Sequence, residues 1–142
     1  MFASTASRNS FQGFASAYRS IGVETGVSSA SPHRLVAMLF DGFQDAVAQA
    51  RGALACGDTA GKGRAVSRAA RIVEEGLKAG LNLKDGGKLA ADLDALYGYV
   101  SLRLTHANLH NSDAALEECS RLIEPVRSAW TAIAGQAAAN VQ

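Results

Sequence analysis

Apolar positions recur every three or four residues through most of this chain, and the period breaks at a few sharp points. The first long stripe runs Leu35, Leu39, Phe43, Val47, Ala50 and Leu54, the spacing of one helix face. Ser31-Pro32 opens it, because a Ser hydroxyl accepts from an orphan backbone N–H and Pro suits the first helical turn. Gly57 closes it as a C-terminal cap. Val36 and Phe40 widen the stripe to a second face, more than one packing partner requires.

The second stripe is Ala65, Ala69, Ile72, Val73, Leu77 and Leu81. Asp58 is a candidate cap for it, but Gly61 and Gly63 predict that the helix proper starts just after them. It stops before Asp85-Gly86-Gly87. A third stripe carries Leu89, Leu93, Leu96, Tyr97, Val100, Leu104 and Ala107 and ends around Leu109 to Asn111. The fourth runs from about Ser112 through Leu116, Cys119, Leu122 and Ile123. Pro125 then removes a backbone donor, which predicts a kink. The pattern resumes with Val126, Trp130 and Ile133 before an Ala-rich tail.

Four amphipathic helices with short connections predict an all-α fold, an antiparallel four-helix bundle over residues 31–138. Residues 1–13 are rich in Ser, Ala and Asn and are predicted to be a disordered tail. Residues 14–30 carry scattered anchors, Phe14, Tyr18, Ile21 and Val23, interrupted by Gly22 and Gly26. That segment reads as a short helical or extended lid able to lie on something apolar.

Composition narrows the function. Lys plus Arg total 14 against 13 Asp plus Glu, a net charge of +1, which lacks the clustered cations that nucleic acid requires. Lys62, Arg64, Arg68 and Arg71 form the nearest thing to a basic patch, and their spacing reads as a solvated helix face. Cys56 and Cys119 match no metal or redox spacing and read as small buried apolar residues. No secretory signal is apparent in the first 30 residues. No apolar run reaches the length of a membrane span, so the expectation is a soluble, cytoplasmic protein.

Candidate chemistry is thin. Gly57-Asp58-Thr59-Ala60-Gly61-Lys62-Gly63 has three residues between its glycines at 57 and 61 where the phosphate-binding pattern needs four. A helix precedes it, so it reads as an interhelical turn. His106 and His110 share a helix face, yet no third ligand is placed to complete a metal site. Asp92 and Asp94 point apart on a helix, and no nucleophile elbow occurs. No catalytic residue, metal or cofactor is expected. Tyr99 and Arg103, four apart beside the core stripe, are the type of pair found at protein interfaces. A small helical protein that presents apolar surface without reactive groups holds another chain.

Those residues resemble a family, and the likeness covers nearly everything from Ala17 to Trp130. It is carried by Ala17-Tyr18, Val23-Glu24-Thr25, Ala30-Ser31-Pro32, Met38-Leu39-Phe40-Asp41-Gly42 and Gly61-Lys62-Gly63. Leu93, Ala95-Leu96-Tyr97, Arg103-Leu104, Ala107-Asn108-Leu109 and Ala129-Trp130 continue it in order. The pattern is similar to that of the FliS family of flagellar export chaperones. The resemblance implies a helical bundle that binds the disordered C-terminal segment of flagellin in the cytoplasm, prevents its polymerisation and presents it to the flagellar export gate. It implies an N-terminal segment that covers part of the groove until flagellin displaces it, here the region of Tyr18, Ile21 and Val23.

With the wide first stripe and the Tyr-rich third, the expected partner-binding set is Tyr18, Ile21, Val23, Leu35, Phe40, Leu96, Tyr97, Tyr99, Val100, Arg103, Leu104 and Asn108. Self-association as a weak homodimer is compatible with such a surface, whereas stable membrane insertion is not. The alternative is an adaptor or regulatory bundle that binds another amphipathic helix of a flagellar factor.

Overall fold

A computed structural model describes Phe14, residues 16–18 and residues 31–141, with side chains as far as Ile133. Its elements are α1 (Pro32–Ala55), α2 (Thr59–Arg71, continued by a π-helical segment Ile72–Lys78), α3 (Gly87–His110) and α4 (Asp113–Val141). No strand occurs among the described residues. Each helix packs on its neighbour in sequence, α4 closes back on α1, and the diagonal pairs do not touch. This is the antiparallel four-helix bundle that the periodicity predicts.

The caps show why the helices start where they do. Ser31 Oγ accepts from Arg34 N at 3.1 Å, with Pro32 in the first turn. Asp58 Oδ1 accepts from Gly61 N at 2.9 Å, so α2 begins at Thr59 and takes both glycines inside it. The expectation that α2 starts after Gly63 underrated this cap, which offsets the cost of glycine in a first turn. Asn111 ends α3 in the left-handed conformation, φ 51°, and Ser112 Oγ accepts from Ala115 N at 3.1 Å to start α4.

The core is contributed by Val36, Phe40, Phe43, Val47 and Ala50 of α1, Val66, Ala69, Val73 and Leu77 of α2, and Leu93, Tyr97, Val100 and Leu104 of α3. Leu116, Cys119, Ile123 and Trp130 complete it from α4. On α1 the true core line is Val36–Phe40–Phe43, while Leu35, Leu39 and Leu54 are only half-buried. Phe43, Val47 and Ala50 of the expected stripe are core, whereas in the first turns the core line is Val36 and Phe40 in place of Leu35 and Leu39. Apolar residues on both sides of a helix give two candidate core lines, and only the position of the neighbours decides between them. Gln44 Nε2 donates to the Ser120 carbonyl at 3.0 Å, Arg127 pairs with Asp41 at 2.8 Å and Arg51 with Asp113 at 2.8 Å, which tie α1 to α4 along its length. Helix α4 runs unbroken through Pro125.

In the π-helical segment of α2 the hydrogen bonding widens, with Ala79 N donating to the Glu74 carbonyl five residues back at 3.1 Å. Gly76 sits in this stretch because a Cβ there would lie 2.8 Å from Leu39 Cδ2. Gly76→Ala is expected to destabilise the protein by about 1 kcal/mol through overpacking, and the cost should vanish in a Leu39→Ala background. Urea melts of the two single variants and the double variant measure that coupling.

Candidate partner-binding site

At the base of the bundle the start of α1 and the later part of α4 meet around Trp130. Its indole Nε1 donates to the His33 carbonyl at 2.9 Å, and the His33 ring stacks on it at 5.1 Å. Phe14 and Tyr18 approach the same indole edge-on, at centroid distances of 5.3 and 5.6 Å. Tyr18 is 1% exposed. Its hydroxyl lies 2.6 Å from the Tyr97 hydroxyl inside the bundle. Burial is the first cause that raises the pKa of each phenol, so both stay protonated across the physiological range. The Ala17 carbonyl accepts from Asn82 N at 2.6 Å. Gly86 lets this turn come close, since a Cβ there would lie 3.3 Å from Ala17 Cα and within 2.6 Å of Asn82 O and Ala90 Cβ. The described part of the N-terminal segment is thus a seated plug of core quality, not a loose cover. Ile21 and Val23 lie outside the described residues.

A second feature is the groove between α2 and α3. Val66, Ser67 and Ala70 form one wall, and Leu104, Thr105, Asn108 and Leu109 the other, around a volume of about 400 Å³. Polar bridges bound it. At one end Lys62 Nζ donates to the carbonyl and to Oδ1 of Asn108, at 2.8 and 2.9 Å. Towards the other end the Ser101 hydroxyl donates to Glu74, and Lys78 pairs with Asp94 at 3.5 Å further along. Leu109, which lines the groove, is 74% exposed, and Leu102, seven residues earlier on the same face of α3, is 70% exposed; exposed apolar residues beside a groove are typical of contact surfaces.

Ten of the twelve residues named from sequence lie among the described residues, and they fall into four groups. Tyr18, Phe40, Tyr97, Val100 and Leu104 are buried, and of these Leu104 also floors the groove. Leu35 and Leu96 are half-buried, on α1 and α3. Tyr99 and Arg103 reach the seam with α4, on the flank of α3 away from the groove, where they clasp Glu118 at 2.6 and 2.7 Å. Those two bonds hold the Glu118 carboxyl below its ordinary pKa, that from Tyr99 first. Asn108 alone of these is both exposed and a groove wall.

Sequence reasoning missed Leu102, Leu109, Val66 and Ala70. Their signal was present as apolar residues off the main stripe of each helix. It also misplaced Lys62, which is 4% exposed and not on a solvated face. Lys62 precedes Val66, Ala69 and Val73 at helical spacing, so its position in the core line was legible. Arg64, Arg68 and Arg71 are exposed as expected. Cys56 is exposed, against the expectation of burial, whereas Cys119 is buried, and desolvation pushes its thiol up to about 12, which keeps it unreactive. No cluster of metal-binding side chains occurs among the described residues, and no described helix is long and apolar enough to cross a membrane.

A family model described as Flagellar protein FliS matches residues 14–137. The chain is 46% identical over 121 residues to the Flagellar secretion chaperone FliS of Salmonella typhimurium strain LT2, covering 85% of this chain and 90% of that one. It is 41% identical over 114 residues to the Flagellar secretion chaperone FliS of Escherichia coli K12, covering 80% and 84%. With the Flagellar secretion chaperone FliSB of Pseudomonas aeruginosa it shares 40% identity over 116 residues, covering 82% and 91%.

Tyr18→Phe is expected to cost about 1–3 kcal/mol, because it strands the Tyr97 hydroxyl in the core. Tyr18→Phe with Tyr97→Phe should recover most of that loss in urea titrations. At Glu118 the depressed folded pKa means that its contribution to stability is full above the unfolded value of about 4.3 and is lost as pH falls through the folded value. Tyr99→Phe should therefore move the Glu118 titration upward, read from its carboxyl carbon shift by NMR.

Proposed function

The chain belongs to the FliS family, and on that premise we propose that it is a cytoplasmic secretion chaperone for flagellin. It holds the C-terminal segment of flagellin, keeps that segment from polymerising early and delivers it to the flagellar export gate. The family is one of chaperones and not of enzymes. The observation that carries the client-binding reading is the groove between α2 and α3. Apolar Val66, Ala70 and Leu104 line it together with Leu109, which stands in solvent, and Leu102 is exposed one heptad away on the same face of α3. A helix or extended segment with apolar anchors fits such a surface.

The energetics are adequate. Ordering a disordered client costs about 2–5 kcal/mol, and each large apolar side chain fully buried returns about 1.5–3 kcal/mol. A few anchors therefore reach micromolar affinity, about 8 kcal/mol. The N-terminal turn adds a second layer. Seated against Trp130 and Tyr97 it covers apolar core surface, and its release exposes that surface to the client. A client that needs the released form has its intrinsic affinity multiplied by the fraction of time the turn is out, so a turn that stays seated longer weakens binding.

Calorimetric titration with a peptide of the flagellin C-terminus tests the reading. One-to-one binding with a large negative heat-capacity change is expected. Leu109→Asp, at an exposed position, should leave the melting temperature unchanged and weaken binding tenfold or more. Absence of binding by the unaltered protein, or binding preferred to a helix of another flagellar factor, would put the adaptor reading in its place.

A further inference from the structure

Lys62 is the only buried charged residue among the described residues, and its ammonium is spent on Asn108. It donates both to the Asn108 carbonyl in the last turn of α3 and to the side-chain Oδ1 of that residue. The first contact is a familiar helix cap, a cation against the negative end of the helix. The second does something the cap does not require. An ammonium has donors only, so the amide edge that faces it must be the oxygen. The Asn108 side chain is thereby locked in one of its two flips, and its Nδ2, which has two donors, takes the other limb of the planar group.

Asn108 is exposed and forms a wall of the α2–α3 groove beside Leu109. Nothing else in that wall offers a fixed donor. Leu104, Leu109, Val66 and Ala70 are apolar, the Thr105 hydroxyl is directed back to the Ser101 carbonyl at 3.1 Å, and the Ser67 hydroxyl on the facing wall is a rotor with no fixed direction. We propose that Lys62 is a positioning residue that holds the Asn108 amide nitrogen toward the groove as a hydrogen-bond donor for a main-chain carbonyl of the client segment. This rests on the reading that the groove takes the flagellin C-terminal segment. The donor sets register, because an apolar segment slides along an apolar groove and one fixed bond to its backbone selects a position. The charge on Lys62 strengthens the lock, since hydrogen bonds from an ionised donor are stronger than neutral ones.

Asn108→Asp separates this role from a structural one. The new carboxylate keeps the acceptor for Lys62 but carries no donor. The variant should melt at or above the temperature of the unaltered protein, yet bind the flagellin C-terminal peptide about tenfold more weakly. Unchanged affinity would overturn the donor role. The orientation is read in the free, full-length protein by NMR relaxation of the Asn108 side-chain amide. It should be ordered in the unaltered protein and disordered in Lys62→Met, with helical content by circular dichroism held constant in both. A mobile amide in the unaltered protein would overturn the positioning role of Lys62. Failure of the unaltered protein to bind the peptide would remove the functional reading and the client-donor role together. The NMR measurement would still decide whether Lys62 sets the amide.

Discussion

A phenol taken out of water needs a partner, and in this bundle the Tyr97 hydroxyl meets the Tyr18 hydroxyl. That one contact links the middle of α3 to a turn that precedes the bundle by more than a dozen residues of chain. Around it the rest of the base assembles. Trp130 receives Phe14 and Tyr18 on its edges and His33 on its face, so the N-terminal turn, the start of α1 and the end of the described core share one aromatic cluster. Without a partner for Tyr97 the cluster would enclose an unsatisfied polar atom, at a cost comparable to a sizeable part of a domain's stability.

The same helices serve two surfaces, and the groove is continuous with the core beneath it. Leu104 and Val66 are buried in the bundle and also floor the α2–α3 groove. Changes there disturb the core and the shape of the groove at once. Leu102 and Leu109 contribute to the outer surface alone. On the opposite flank of α3, Tyr99 and Arg103 are engaged with Glu118, which fixes α3 against α4 and makes the two flanks of one helix unlike: one sealed by polar bonds, the other open and apolar.

The bundle was legible in the chain because its signals are local. Helical spacing, the Ser31-Pro32 start and the Asn111 end each act within a turn or two of their own position. What required neighbours was not legible. The choice between the Leu35–Leu39 line and the Val36–Phe40 line on α1 depends on where α2 and α4 lie, and a sequence period cannot supply that. Lys62 was misread for the opposite reason: its position followed the core line, but charge outweighed position in the reading. The partner-binding set leaned on aromatic residues, and Tyr18 and Tyr97 spend their polar handles on each other. Leu102 and Leu109 stand outside every stripe and are exposed on α3. A leucine with no helix to face is the one left for something else to cover.

The cluster at the base has an optical consequence. Trp130 is the only tryptophan in the chain, and the two rings that flank its edges both come from the N-terminal turn. Indole emission shifts to longer wavelength when water replaces apolar neighbours. The protein therefore carries its own unlabelled fluorophore at the joint between turn and bundle. The colour of its emission reports, at any moment and in any mixture free of other tryptophans, which side of that joint the turn is on.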